Sequence, residues 1–336
     1  MPETGSYFGY YWVRNYATFS PWKGCIITRI SKHYLVGYNH QTDPNYILAK
    51  ETSMSRIALV TDSTCSMPKE LIDKYNISVA PQVIIWGNEI FEDEVNITAD
   101  EFYTRLKKAS IMPSTSQATI AKFLEIYKNL LEQDYQILSI LLSSKLSGTV
   151  NSAVQAKAML PPDAPVEIID SNSTAMAMGF HVLTVARAIE QGASLQECVE
   201  LAQKASQNTG LYFAVDTLEF LHRGGRIGGA SRFLGTVLNF KPILELRDGR
   251  VEAAERVRTR TKSLNRIIEL VEEKIGGRTP VRLASLHASA PEDARIVLEE
   301  ASKKFNPIES FLSQVSPAIG ANIGPGVVGL VYMAGM

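Results

Sequence analysis

Cysteine is scarce in this chain. Its three residues, Cys25, Cys65 and Cys198, are odd in number, far apart and free of CxxC spacing. They encode neither a disulfide framework nor a zinc site, and a reducing cytoplasm fits them best. An excess of one charge is also missing: 34 Lys and Arg face 35 Asp and Glu, for a formal net charge of -1. Phosphate backbones attract clustered, uncompensated cations, so nothing here drives the chain toward nucleic acid and any basic patch must be local. No apolar run approaches the roughly 18 residues of a membrane span. Arg14 and Lys23 interrupt the aromatic N-terminus before a signal-peptide core could form. We expect no export, no membrane span and only transient membrane contact. The signatures of common chemistries are missing too, with no HExxH, no GxSxG elbow and no Cys and His arrangement. His33, His40, His181, His222 and His287 show no metal-ligand spacing. We therefore assign no metal, no cofactor and no catalytic residue.

What is present is ordinary globular composition, 45% apolar and 21% charged, over 336 residues, long enough for two domains with a core each. The first 53 residues crowd Tyr7, Phe8, Tyr10, Tyr11, Trp12, Tyr16, Phe19 and Trp22 together without a helical or strand period. From Ser55 the text changes to RIALVTDST, an apolar strand running into turn residues. Met54 thus reads as a start. Residues 1–54 read as an uncertain extension: a mis-called upstream frame or an unfolded appendage, set against a docked segment.

From there strands and helices alternate, the rhythm of a parallel α/β sheet. We expect strands at Arg56–Thr61, Ser78–Trp86, Gln136–Leu142 and Val166–Asp170. Between them we expect helices near Pro68–Tyr75, from a Thr98 and Glu101 capping box to about Lys108, from a Thr115 or Ser116 cap to about Leu131, and from about Ser147 to Met159. Two further helices are split at Gly192. Past Gly210 the character shifts. Asp248 and Gly249 between ILELR and RVEAA signal a tight antiparallel hairpin. Helices near Lys262–Ile275 and Pro291–Lys304 and strands near Leu211–Val215, Val281–Leu286 and Val327–Tyr332 follow. We place the domains at 55–210 and 211–336.

Hydroxyl side chains are concentrated at two places on the expected carboxyl edge of the parallel sheet. Ser143, Ser144, Ser147, Gly148 and Thr149 follow one strand, and Ser114, Thr115, Ser116 and Gln117 precede a helix. Helix starts carry unpaired N–H groups and the positive dipole end, which suits an anion. Either cluster alone reads as an ordinary cap. Converging, they could hold a carboxylate or phosphate while an apolar cavity takes the rest of a ligand. Asp62 with Ser63, and Asp170 with Ser171, end strands on the same edge. FLHRGGRIGGASRFLG, with Arg223, Arg226 and Arg232, reads either as an anion cradle or as a tight connection between helices. Gly320, Asn322, Gly324, Pro325 and Gly326 read as a loop ahead of the last strand.

Taken in order, VTDST, PSTSQAT, SSKLSGTVNSA, RGGRIGG, ERVRT and GANIGPG resemble the DegV family of bacterial fatty-acid-binding proteins, from Ser55 to the C-terminus. The resemblance implies the two-domain DegV-type fold: a parallel-sheet N-terminal α/β domain and a C-terminal α/β domain with antiparallel strands. It implies a buried long-chain fatty acid, palmitate- or oleate-like. The carboxylate would be held by Thr115 with Ser116 beside it and by Ser144 as the best single serine, with Ser143, Ser147 and Gly148 in reach. Many relatives carry a His in the last motif; Asn322 stands there in this chain, and an amide donates a hydrogen bond but carries no charge. The resemblance further implies a non-enzymatic carrier whose partner, an ATP-dependent fatty acid kinase, forms an acyl phosphate for phospholipid synthesis. Arg258 would serve docking, or its run with Arg256, Arg260 and Lys262 is a solvated helix start. Met176, Met178 and Leu183 are expected either as part of the tunnel wall or as core. The rival readings are a small-molecule kinase or phosphotransferase, and a regulatory protein whose lipid is structural.

Overall fold

The computed structural model describes residues 56–234 and 240–336. The reading of residues 1–54, with Met54 as a start, lies outside them. Thirteen strands organise the described residues: β1 (Arg56–Asp62), β2 (Ser78–Ala80), β3 (Val83–Trp86), β4 (Glu89–Glu92), β5 (Ser114–Ser116), β6 (Tyr135–Leu141), β7 (Val166–Asp170), β8 (Thr209–Ala214), β9 (Lys241–Arg247), β10 (Arg250–Val257), β11 (Val281–His287), β12 (Glu309–Gln314) and β13 (Val328–Ala334). The first domain is built on a parallel sheet in the order β2-β1-β6-β7. Its central strands are near-continuous apolar runs because helices cover both faces. On one face Phe123 and Tyr127 of helix Ile120–Leu131 pack with Ala153 and Ala156 of helix Thr149–Ala158.

The second domain is a mixed sheet in the order β10-β9-β8-β13-β11-β12, antiparallel except for the β11–β12 pair. Helices Arg260–Ile275 and Pro291–Phe305 cover its outer face. Helix Ala175–Glu190 lies between the two sheets in a single apolar core that contains Leu59 and Leu138 of the first and Leu286 and Met333 of the second. This is the expected fold class, two α/β domains with a parallel and a mainly antiparallel sheet.

Several local expectations are corrected. Residues 78–86 form two strands, because Pro81 lacks the N–H needed to continue the ladder. The chain leaves the parallel sheet there, and β3 joins a separate antiparallel sheet, β4-β3-β5. Thr115 and Ser116 therefore sit in β5 and cap nothing. Thr119 caps the next helix, its Oγ1 accepting from the Lys122 N–H at 3.1 Å. Residues 317–323 are a helix and not a loop. Pro317 occupies its first turn, where a missing N–H costs nothing, and Gly324 ends it with φ of 77°. Strands β4 and β12 were not anticipated.

The hairpin at Asp248 and Gly249 forms as expected, with φ of 48° and 76°, the double left-handed backbone of a two-residue turn. Its tip docks on the first domain. The Ser143 hydroxyl donates to the Gly249 carbonyl at 2.8 Å, and Lys145 Nζ donates to the Asp248 carbonyl at 2.6 Å. A Cβ at Gly249 would run into Ser143 Oγ, whereas one at Gly192, also left-handed at 90°, meets open space. Left-handed backbone costs an ordinary residue about 1–2 kcal/mol, and a lost hydrogen bond adds about 1 kcal/mol. Urea unfolding should show Gly249→Ala more destabilised than Gly192→Ala by about 1 kcal/mol. Equal losses would contradict a stabilising role for the docked hairpin.

Candidate ligand-binding site

The site begins at the carboxyl edge of the parallel sheet. Asp62, fully buried at the end of β1, accepts from the Thr64 N–H (3.0 Å), the Thr64 hydroxyl (2.5 Å) and the Leu142 N–H beyond β6 (2.8 Å). It fastens the ends of two neighbouring strands. Burial pushes its carboxyl above the usual range, and the three donors work against that rise. Thr64 and Leu142, held in this way, face a cavity between the domains.

That cavity spans about 900 Å³ of empty space, open solvent at its mouth included. Its polar lining includes Gln82 after β2, Thr115 and Ser116 on β5, Ser147 before helix Thr149–Ala158, and Asn322 on helix Pro317–Ile323. Asn322 Nδ2 donates to Thr115 Oγ1 at 3.1 Å and to the Ala318 carbonyl at 3.0 Å. The Ser147 and Thr149 hydroxyls lie 2.9 Å apart, and Gln82 Nε2 donates to Thr149 Oγ1 at 3.0 Å. Arg226 brings a cation to the wall, its Nε donating to the Leu146 carbonyl at 3.1 Å. The remaining lining is mostly apolar and comes largely from the second domain, including Leu211, Phe213, Leu246, Leu286 and Val327.

The expected residues divide. Thr115, Ser116, Ser147 and Asn322 line the cavity together. Gly148 stands just behind as the residue before helix Thr149–Ala158, and a Cβ there would fall 2.5 Å from Gln117 Oε1. Ser143 is buried beside the hairpin tip, and Ser144 is exposed, its N–H donating to Asp170 at 3.2 Å; neither is on the wall. Arg258 is exposed between β10 and helix Arg260–Ile275, away from the wall. Met176, Met178 and Leu183 are core residues and not tunnel wall; Thr174 and Ala175, at the start of their helix, reach the cavity instead.

RGGRIGG makes the tight connection of its second reading. Gly225 and Gly228 have φ of 73° and 49° and make the connection between short helices, while Arg226 turns to the cavity. Gln82, Thr174 and His287 were not anticipated. His287 is 7% exposed at the end of β11, and burial holds its imidazole below the ordinary value against the pull of Asp100, which favours the neutral form. Nothing in its local sequence separates it from a core residue. Gln82 follows β2 at the ligand-binding edge of the sheet, a signal that could have found it. Among the described residues no group of three or more His, Cys, Asp or Glu could hold a metal ion, and no helix is long and apolar enough to cross a membrane. Donors at one place and apolar surface elsewhere suit an amphiphile with an anionic head.

Comparison with known proteins gives the same outline. The family described as "Uncharacterised protein, DegV family" matches residues 56–335. Protein DegV of Bacillus subtilis is 35% identical over 277 residues, 82% of this chain and 98% of the relative. A fatty-acid-binding DegV family protein from Thermus thermophilus superposes with a TM-score of 0.79 at 33% identity, over 83% of this chain and 99% of that one. The B. subtilis DegV structure, described as a fatty acid binding protein, superposes with a TM-score of 0.76 at 33% identity, over the same 83% and 99%.

Proposed function

The chain belongs to the DegV family, and from that premise we propose that it is a carrier that buries a long-chain fatty acid between its domains. In this reading 55–210 is the head-group domain and 211–336 closes the cavity. The observation that carries it is the linked polar lining: Asn322 bonds Thr115, and Arg226 bonds the Leu146 carbonyl next to Ser147, in a cavity that is otherwise largely apolar. The tail supplies affinity, since about 0.8 kcal/mol per buried CH2 amounts to on the order of 10 kcal/mol for a long chain. A buried carboxylate without partners would cost several kcal/mol, and the clustered donors offset that cost.

Ser147 takes the role first given to Ser144, because it reaches the wall and Ser144 does not. Asn322 stands where many relatives carry a His and spends its Nδ2 hydrogens on Thr115 Oγ1 and the Ala318 carbonyl. In this reading it turns the Thr115 hydroxyl toward the carboxylate, which leaves Arg226 as the charged group closest in kind to what that imidazole could supply. The chain performs no chemistry on its cargo in this reading. A partner ATP-dependent kinase forms the acyl phosphate for phospholipid synthesis, docking on exposed Arg258, and both proteins work in the cytoplasm.

Titration with palmitate tests the site. Thr115→Val combined with Ser147→Ala should weaken binding on the order of 100-fold, since hydrogen bonds to a charged group contribute about 1.5–3 kcal/mol each. Ser144→Ala should bind as the unsubstituted chain does. Unchanged affinity in the double variant would place the carboxylate elsewhere. For docking, Arg258→Ala should slow phosphorylation of bound palmitate by the kinase while leaving lipid content intact; a matching loss of lipid would contradict a surface role.

A further inference from the structure

Resting on the fatty-acid reading, we propose that Asp93 is a positioning residue that ties the two sides of the head-group site together and so sets how tightly a carboxylate is held. Asp93 follows β4, is 1% exposed and is not on the wall. Its Oδ2 accepts from the Ser63 hydroxyl at 2.6 Å, and its Oδ1 accepts from the Ala318 N–H at 3.0 Å. Its own N–H donates to the Gln82 carbonyl at 2.9 Å, and the Gln82 N–H donates to Ser63 Oγ at 3.0 Å. Gln82 is wall. Ala318 belongs to the helix that carries Asn322, whose amide bonds both the Ala318 carbonyl and Thr115. The Asp93 carboxylate therefore links Ser63, which bonds the wall residue Gln82 of the first domain, to the helix that carries Asn322 from the second.

The surroundings make this an expensive place for a charge. The titratable groups facing Asp93 are Asp62, Cys65, Glu94 and Tyr103, and Asp100 faces Glu94 in turn. Among the described residues no cation pairs with Asp93. Lys69, in the outer cleft shared with Asp93 and Glu94, is bonded to Asp73 at 2.8 Å. Burial pushes Asp93 up to about 6. Burial and the Asp93 and Asp100 charges push Glu94 up to about 7. A carboxyl raised above its unfolded value favours the folded state at low pH, and that contribution is lost as pH rises through about 6. An ionised Asp93 thus works against fold stability at neutral pH.

Binding has the opposite sign. Ionised, Asp93 accepts from both Ser63 and Ala318 in charge-assisted bonds. Protonated, it becomes a donor at one oxygen, toward the Ser63 or the otherwise unpartnered Ser316 hydroxyl, and the Ala318 N–H loses a charged acceptor. The tie loosens as pH falls. A purely structural residue would move stability and binding together; this one separates them.

The test uses the full chain, palmitate titration at pH 5 and pH 7.5, and urea unfolding at pH 7.5. Comparing variants at each pH removes the part of the cargo's own titration that is common to both chains. Asp93→Asn should bind about tenfold more weakly than the unsubstituted chain at pH 7.5, the loss of one charge-assisted bond. It should bind equally at pH 5 and resist urea at least as well at pH 7.5. Glu94→Gln should keep the unsubstituted affinity at both pH values. The proposal is overturned if Asp93→Asn binds normally at pH 7.5, is equally weakened at both pH values, or loses stability in parallel. It is overturned too if Glu94→Gln is the variant that removes the pH dependence. A chain that binds no palmitate at either pH would overturn the fatty-acid reading and this inference with it.

Discussion

Helix Ala175–Glu190 sits between two sheets and is buried along most of its length, from Ala175 through Leu183 and again at Val185 and Ala186. A helix apolar all round can be stable only inside a core, so the two domains share one. Phe180 packs against Phe311 of β12 and Thr184 reaches Met333 of β13. Near its C-terminal end Arg187 makes paired bonds of 2.7 and 2.6 Å to Glu309 of β12. The cavity lies at the other end of this helix, where Thr174 and Ala175 form wall. Close packing along one stretch and empty space at its beginning are two consequences of one placement.

The head-group site is consequently assembled from both domains and depends on how they are tied. Among the directional bonds that do this are Ser143 to the hairpin tip, Asn322 to Thr115, and Asp93 to Ala318. The first uses a serine that sequence reasoning had assigned to the ligand. Hydroxyls at a strand end serve equally well as domain fasteners, anion donors or caps, and only the fold distributes them among those tasks.

Much of the architecture was legible because it rests on strong local rules. Near-continuous apolar runs such as Ile137–Leu141, broken only by Ser139, report strands covered on both faces, and Asp248-Gly249 reports a hairpin through its left-handed backbone. The capping box at Thr98 and Glu101 forms as its pattern implied. What failed were short elements whose identity is set from outside. Ser114–Ser116 has neither length nor period, and it is a strand because β3 lies beside it. Pro317–Ile323 is glycine-bearing and short, and it is a helix because its ends are held by Asp93 and Gly324. Of the site, Thr115, Ser116, Ser147 and Asn322 were recoverable from hydroxyl density and motif order. His287 and Thr174 were not, because a cavity formed between domains leaves no periodicity in either.

The remaining contrast is between a largely uncharged donor set and the anion it would hold. Asn322 is neutral, burial favours the neutral form of His287, and the hydroxyls carry no charge, so Arg226 stands out among the lining residues. Such a site orients a carboxylate while leaving affinity to the apolar tail. Lipid extraction from the purified full-length chain, with native mass spectrometry before and after, addresses that account most directly. The account predicts one long-chain fatty acid per chain, recovered on extraction and rebound when resupplied. A chain that purifies without fatty acid and takes up none when it is offered would contradict it.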